Sequence, residues 1–205
     1  MKMLQSLPKK IMLMLLVFVV FTACSKSEKD PIESDNDPSI AEHTFDITLV
    51  NKSDGSETVE YKGAVPTDKG NAIYKDLTIS GNRDHSVTML LGKRGEPGNI
   101  FGIINLDDNN QPIPKLRTAV EQDGSVLMIT PEGKDDYYNS VSGTVKFSDL
   151  KYALPISSSG AACFTLKFSG DFEKNSGRGT GTHIYQGTGT IVVSPEKKMG
   201  TYKAP

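Results

Sequence analysis

The stretch Thr44-Phe45-Asp46-Ile47-Thr48-Leu49 alternates polar and apolar residues along its whole length. Successive side chains of a β-strand point to opposite faces, so this period of two predicts a strand with one buried face. The same alternation recurs later in the chain, in residues 73–79, 141–148 and 161–168. Two further runs are apolar at nearly every position and indicate central strands, residues 87–91 and 126–129. Helical spacing of apolar residues does not recur, so the domain is expected to consist of strands.

Turn-forming residues separate the predicted strands. They are Ser53-Asp54-Gly55, Ser80-Gly81-Asn82, Asp107-Asp108-Asn109-Asn110, Gln122-Asp123-Gly124 and Glu132-Gly133. Strands joined by such turns at intervals of roughly ten to fifteen residues predict an all-β, antiparallel fold. We expect a β-sandwich because two runs are apolar on both faces, whereas the interior of a ligand-holding barrel should be polar or mixed. A closed β-barrel is the alternative.

The alternation also predicts which face of each strand is buried. In residues 73–79 the apolar face consists of Ile73, Leu77 and Ile79. Tyr74 is therefore expected on the opposite, polar face of that strand.

Glycines recur near the C-terminus at odd-numbered positions, at Gly177, Gly179, Gly181, Gly187 and Gly189. In a strand they would form a stripe without side chains on one face, which lets the sheet bend or a bulky neighbour lie across it. A phosphate-binding loop would need a Gly-Lys-Ser/Thr ending that opens a helix, and the run lacks both. The glycines therefore predict a bent hairpin.

The N-terminus has the features of a secretory signal. A basic start, residues 1–10, precedes the apolar run Ile11–Phe21, which is too short to span a bilayer. The run ends in Phe21-Thr22-Ala23-Cys24, which resembles the lipobox of bacterial lipoproteins. The resemblance implies a signal peptide at residues 1–23, a lipidated N-terminus and disordered tether at 24–40, and a single β-rich domain at 41–205.

The same resemblance gives Cys24 a chemical role. In bacterial lipoproteins the corresponding cysteine carries diacylglycerol on its sulfur and an acyl chain on its amine, so Cys24 is expected to hold the protein on a membrane without a transmembrane helix. Two or three long chains make such an anchor effectively permanent, since each buried CH₂ contributes about 0.8 kcal/mol. The segment that follows is polar, carries charges of both signs and contains Pro31 and Pro38, so it should remain disordered.

This signal and tether resemble those of uncharacterised outer-membrane and surface lipoproteins of Bacteroidetes, some of which are calycin-like barrels and some sandwiches. The resemblance implies attachment to the outer membrane by lipid, with the cell surface as one destination and the periplasmic face as the alternative. Removing the lysines of residues 1–23 leaves more acidic than basic side chains, without a Lys/Arg cluster. Nucleic acid is therefore not an expected partner.

Only two cysteines are present, Cys24 and Cys163. Lipidation would remove Cys24 from disulfide chemistry, so Cys163 has no partner within the chain. Cys163 shares its predicted strand face with Thr165 and Lys167, and it is expected to be less well buried than most structural cysteines. The three histidines lie in no recognisable thiol-protease context, so an inert thiol is the favoured interpretation.

Acidic clusters provide the remaining candidates for a site. Asp135-Asp136-Tyr137-Tyr138 combines carboxylates with aromatic rings, which could stack on a sugar and hydrogen-bond its hydroxyls. The alternative is a polar loop whose tyrosines cover the edge of the core. Asp107–Asn110 offers oxygen ligands but lacks the glycine and the late glutamate of a calcium loop, so a solvated hairpin turn is favoured. No metal or cofactor is predicted.

Motifs of catalysis are missing: the chain has no Gly-x-Ser-x-Gly elbow, His-Glu-x-x-His, Cys-x-x-Cys or nucleotide fingerprint. We therefore expect a non-catalytic binding or accessory module of the cell envelope, with a glycan or an envelope protein as partner. One alternative is a periplasmic barrel that carries a small ligand or acts as an inhibitor or immunity protein. A glycoside hydrolase is the less favoured alternative, because only two carboxylates close in space would support it.

Overall fold

The computed structural model describes residues 42–92, 98–121, 123–133, 135–153, 159–176, 179–196 and 201–203. All of them belong to one compact unit, Pro38–Pro205. The predicted signal peptide, Cys24 and the tether lie outside the described residues. The strands are β1 (Glu42–Asn51), β2 (Thr58–Pro66), β3 (Gly70–Ile79), β4 (Asn82–Leu91), β5 (Asn99–Asn105), β6 (Leu116–Arg117), β7 (Val126–Thr130), β8 (Asp136–Ala153), β9 (Ser159–Ser176) and β10 (Gly179–Val193).

The strands form one antiparallel sheet in the order β2-β1-β10-β9-β3-β4-β5-β7-β8-β6, with an additional pairing between β8 and β9. The predicted all-β, antiparallel fold is confirmed. The two runs expected to be central are so: β4 lies between β3 and β5, and β7 lies between β5 and β8. Within the two predicted runs, residues 87–91 and 126–129, every side chain is buried or half-buried, as their apolar sequences require.

The sheet closes on itself through β9. One edge of β9 pairs with β8, and the other edge pairs with β10 at residues 164–176 and with β3 at residues 159–161. The ladders β9-β3-β4-β5-β7-β8 therefore return to β9, while β10, β1 and β2 continue the sheet outward. This arrangement is consistent with a sandwich that has a barrel-like closed circuit.

Large apolar and aromatic side chains fill the interior. In β1 the predicted inward face is buried; it consists of Phe45, Ile47 and Leu49. The residues that alternate with them, Asp46 and Thr48, are exposed or only partly buried. The largest fully buried side chains come from most of the strands: Tyr138, Tyr185, Phe172, Ile47, Leu49, Met89, Leu91, Ile100, Ile104, Leu116, Leu127 and Ile129. A core filled by such residues supplies the main favourable free energy of folding.

The predicted faces of β3 are reversed at Ile73 and Tyr74, whereas the side chains of Leu77 and Ile79 lie outside the described residues. Tyr74 is buried with 4% of its surface exposed, whereas Ile73 is 39% exposed. The Tyr74 ring stacks on Tyr152 at 4.2 Å, and its hydroxyl donates to Asn110 Oδ1 at 2.8 Å. Because both the ring and the hydroxyl are satisfied inside, Tyr74 faces inward and the smaller Ile73 faces outward.

Strand β8 changes its buried face along its length. Its pairing with β9 shifts register between Ser140 and Ser142 and again between Ser148 and Lys151. Tyr138 is buried before the first shift, and Val145 is buried after it, although one residue number is even and the other odd. Each extra residue of a β-bulge exchanges the two faces of a strand, which explains the change.

The glycine stripe of β10 is confirmed at Gly187 and Gly189. A Cβ atom added to Gly187 would lie 2.5 Å from the ring of Phe172, and one added to Gly189 would lie 2.8 Å from the ring of Phe168. Two phenylalanine rings of β9 thus lie across the bare backbone of β10. Gly177, at the other end of the predicted stripe, lies outside the described residues.

Cys163 is more buried than predicted, with 7% of its surface exposed. The C-terminal segment runs beside this part of the sheet: Lys203 pairs with Tyr152 of β8, which in turn pairs with Ala162, the neighbour of Cys163. The strand alternation could not show this pairing, because the segment follows β10 in the chain.

Candidate functional site

The structure separates the predicted contact residues at the start of β8. Asp135 is exposed, Asp136 and Tyr137 are half-buried, and Tyr138 is buried with 1% of its surface exposed. Tyr138 packs edge-on against Tyr185 at 5.1 Å between ring centroids. It therefore belongs to the core, and only Tyr137 of the predicted aromatic pair retains a partly accessible ring.

Asp136 takes part in a network of charges. Lys174 of β9 lies 3.1 Å from both Asp136 Oδ2 and Glu57 Oε1, and its side chain is only 19% exposed. The Tyr185 hydroxyl donates to Glu57 Oε2, and the Lys174 ammonium lies 5.8 Å from the centroid of the Tyr185 ring. These contacts join the end of β9 to the starts of β8 and β2.

Titration behaviour follows from this packing. Burial raises the pKa of Tyr138 to about 12. Burial alone would lower the pKa of Lys174, but its hydrogen bonds with Glu57 and Asp136 outweigh that effect and raise the pKa. Lys174 thus remains charged and paired, so this cluster is mainly a structural network. Asp135 and Tyr137 lie outside this network and keep surface that a partner can reach.

A polar pocket that sequence reasoning missed lies elsewhere, between β4, the end of β5 and the loop that follows it. Its volume is about 270 Å³, and its lining combines charged, amide, imidazole and aliphatic groups: Arg83, Asp84, His85, Asn105, Leu106, Asp108 and Ile113. Concave sites with a few convergent polar groups over an apolar floor are where small ligands usually bind.

His85 is the most informative residue of this pocket, because one of its ring nitrogens lacks a protein partner. It is buried, with 8% of its surface exposed. Its Nε2 lies 3.0 Å from Asn110 Oδ1, which also accepts the Tyr74 hydroxyl proton at 2.8 Å. Since Asn110 Oδ1 can only accept, Nε2 carries the proton in the neutral ring and Nδ1 is a bare acceptor. Nδ1 is buried, and no described protein group hydrogen-bonds to it.

The loop beside the pocket is held by local hydrogen bonds. Asp107 Oδ1 accepts the backbone N–H groups of Asn109 and Gln111, each at 2.8 Å. Asn110 adopts a left-handed backbone conformation with φ of +58°, which asparagine tolerates better than most residues. The predicted hairpin turn is confirmed here, and the turn also directs Asn110 toward His85.

Arg83 links the other wall of the pocket. Its Nε donates to Asp76 Oδ1 at 2.9 Å, and its guanidinium also contacts Asp108, whose side chain is 89% exposed. The hydrogen bond from Arg83 lowers the pKa of Asp76, so that carboxylate remains ionised. Arg83 thereby places the Asp108 carboxylate at the rim of the pocket.

The signal for this pocket is weak at the level of sequence. His85 and Asn110 lie 25 residues apart and form no spaced motif. Only the loop Asp107–Asn110 attracts attention, as a possible source of oxygen ligands. The strand pairing of β4 with β5 and the turn after β5 bring the two together.

In the part of the chain that the structure describes, no three His, Cys, Asp or Glu side chains are grouped so that they could hold a metal ion. The same residues contain no helix of the length and apolar character needed to span a membrane. Comparison of the chain with protein-family models, with curated proteins and with solved structures finds no match.

Proposed function

We propose that the protein is a lipid-anchored, non-catalytic binding or accessory module of the cell envelope, and that it takes a hydroxyl-rich ligand, a saccharide, in the pocket beside His85. The convergence of carboxylate, guanidinium and imidazole groups with two aliphatic side chains in one concave pocket carries this proposal.

The rest of the lining suits the same class of ligand. Each sugar hydroxyl can donate one hydrogen bond and accept others, so it needs both kinds of partner. Asp84 and Asp108 are carboxylate acceptors, and Arg83 is a donor. Leu106 and Ile113 supply apolar surface for the C–H faces of a ring. Asp135 and Tyr137, at the start of β8, are the proposed contacts for a larger glycan or an envelope protein.

Saccharide binding by the full chain tests the pocket, measured by titration calorimetry across a panel of neutral mono- and disaccharides. The informative variant is Asp108→Ala, because Asp108 is mostly exposed and its loss should leave the fold intact. We expect affinity to fall about tenfold, the value of one hydrogen bond to a charged group. Asp123→Ala is the matched control, since Asp123 is also an exposed loop carboxylate paired with a cation. Equal affinity of the Asp108→Ala chain and the wild type would overturn the assignment.

The predicted contact surface at the start of β8 is tested with variants that leave the core intact. Tyr138→Ala would remove a core side chain and unfold the protein for reasons unrelated to a ligand. Tyr137→Ala, alone or with Asp135→Asn, leaves the core in place. Binding of a cell-envelope extract to immobilised protein should weaken in these variants if the start of β8 is a contact surface, and unchanged binding would exclude it.

The anchor has its own experiment. Cells producing the wild-type chain should incorporate labelled fatty acid into it, and Cys24→Ala should abolish the label. Protease treatment of intact cells then separates the two proposed locations: loss of the domain, with a periplasmic control protein preserved, indicates the surface, and protection indicates the periplasmic face.

A small-ligand carrier and a glycoside hydrolase are the less favoured alternatives to this proposal. The space inside the closed circuit holds large apolar side chains of the packed core, which favours a binding surface over an internal ligand chamber. Asp84 and Asp108 line one pocket, as a hydrolase would require of its two carboxylates. Release of reducing sugar from the panel by the wild type, lost in both Asp84→Asn and Asp108→Asn, would favour the hydrolase.

A further inference from the structure

Two lysines lie directly opposite each other on neighbouring strands. Lys146 of β8 pairs in register with Lys167 of β9, and both side chains are exposed. Like charges placed directly across a sheet destabilise it. A like-charge pair that is kept despite this cost suggests that its two charges serve a purpose other than stability.

Several lysines of the described chain have an acidic partner, and the cross-strand pair differs from the other lysines without one because its two charges lie directly opposite each other. Lys62 of β2 lies 3.4 Å from Asp46, and Lys52 lies 3.1 Å from Asp171. Across the residues that the structure describes, neither Lys146 nor Lys167 forms an ion pair. The residue opposite Lys167 on its other side, on β10, is the uncharged Thr190. Two positive charges thus stand together without an acid.

The pair lines a groove of about 480 Å³ between these strands and the segment that leads to β6. Besides Lys146 and Lys167 the groove is lined by Gln111, Pro112, Pro114, Thr144, Val145, Phe168 and Ser169. Hydroxyl and amide groups can bond to sugar hydroxyls, and the proline rings offer apolar surface to the C–H face of a sugar. The volume is typical of a site for a small ligand.

We propose that this groove is a second binding site, which takes an acidic saccharide and places its carboxylate or sulfate group between the two ammonium groups. The occupant neutralises the like-charge pair, so binding removes a repulsion in addition to forming ion pairs. A membrane surface is the less suitable partner, because the chain has a net charge of −2 and the groove offers only two cations. The proposal does not depend on the pocket beside His85, which shares no lining residue with the groove.

The test compares oligogalacturonate with the matching neutral galactose oligomer, using the full chain in detergent and titration calorimetry. The informative variant is Lys146→Gln with Lys167→Gln. Its matched control is Lys52→Gln with Lys62→Gln, which removes the same charge from lysines that already have acidic partners. We expect the first variant to bind oligogalacturonate about fivefold to tenfold more weakly, the control to bind like the wild type, and affinity to decrease as salt is added.

Urea unfolding separates a binding role of Lys146 and Lys167 from a purely structural one. Removing a like-charge pair should leave the midpoint of urea unfolding unchanged or higher, while binding is lost. Equal losses in both double variants would show that only net charge matters, and would overturn the site. Stronger attachment to vesicles containing phosphatidylglycerol than to oligogalacturonate would identify a membrane partner and overturn the proposal as well. Asp108→Ala should not change oligogalacturonate affinity, which separates this result from that of the His85 pocket.

Discussion

At the scale of single residues, His43 is a buried crosslink. Its Nδ1 accepts the backbone N–H of Ser194 at 3.1 Å, so Nε2 carries the ring proton and donates to the Gly70 carbonyl at 3.0 Å. The ring has no exposed surface. Burial lowers the pKa of His43 below its ordinary value, although the hydrogen bond to Gly70 and the nearby Glu196 oppose this. The neutral ring thus holds β1, the start of β3 and the segment after β10 together.

Stability should therefore decrease in mild acid. The unfolded chain binds a proton at His43 as the pH falls through about 6.5, while the folded chain resists it, so the contribution is fully present above that pH and is lost below it. We expect the midpoint of urea unfolding to fall between pH of about 7 and 5. His43→Gln keeps a donor and an acceptor without titrating, and should flatten this dependence. A slope unchanged in His43→Gln, and altered instead by the exposed His183→Gln control, would contradict the assignment.

Cys163 should be chemically inert in the folded protein. Burial raises the pKa of its thiol, so little of the reactive thiolate is present at neutral pH, and the covered position limits access. In a Cys24→Ala chain, where Cys163 is the only thiol, we expect reaction with a disulfide reagent such as DTNB to be slow and to become fast once urea unfolds the protein. Rapid labelling of the native chain would instead make Cys163 a candidate reactive group.

At the scale of elements, β8 and β9 approach each other closely at a pair of glycines. Gly143 lies opposite Gly170 just after the first bulge of β8, with φ of +135°. A Cβ atom added to Gly170 would lie 2.1 Å from the Ser142 carbonyl oxygen, and one added to Gly143 would lie 2.3 Å from the Ser169 carbonyl oxygen. Backbone atoms cannot move aside cheaply, so the bulge requires glycine on both strands.

Gly170→Ala should consequently be among the most damaging small substitutions in the protein. We expect the free energy of unfolding to fall by about 2–4 kcal/mol, measured by urea titration, because the β8–β9 ladder must separate locally. Gly81→Ala is the control: its position has φ of +83° but no atom within 4 Å of the added Cβ, so only a backbone cost of about 1–2 kcal/mol is expected. Similar losses in the two variants would show that close packing at Gly170 is not the cause.

Strand identity could be predicted from alternation, but strand faces could not always be. Residues 44–49 gave the correct buried face because their inward residues are purely apolar. The predicted faces of Tyr74 and Ile73 were wrong, because a tyrosine can be buried when its hydroxyl has a hydrogen-bond partner. That partner, Asn110, is distant in sequence, so the strand pattern could not reveal it. In β8 the alternation changes phase at each bulge, which is why Tyr138 could be taken for a surface residue.

At the scale of the whole molecule, contacts between residues distant in sequence hold the structure together. The network around Lys174 is one example, since Glu57 is 117 residues away from it. The pocket beside His85 is another, and its composition could not be predicted, because its walls come from two strands and a loop that only the sheet pairing unites. Motif searches detect residues that are close together along the chain, whereas both the Lys174 network and the pocket beside His85 join residues that are far apart in sequence.

Removing the cation of the first network should be costly. Lys174→Met keeps most of the apolar stem of the side chain but leaves the partly buried Asp136 without its ion-pair partner. We expect a loss of about 1–3 kcal/mol in the free energy of unfolding. Lys62→Met, which breaks an exposed pair, should cost less than about 0.5 kcal/mol. A loss no larger than in this control would mean that solvent screens the Lys174 network as it does a surface pair.

The position of β1 has a mechanical consequence. β1 pairs over nine residues with β2 and over eight with β10, and it begins at Glu42, soon after the proposed tether. Force that pulls on Glu42 along the axis of β1 would load both of these ladders. Backbone hydrogen bonds of antiparallel strands run perpendicular to that axis, so the load shears both ladders at once and does not open them one bond at a time. The proposed tether is thus attached where the domain should best withstand being pulled.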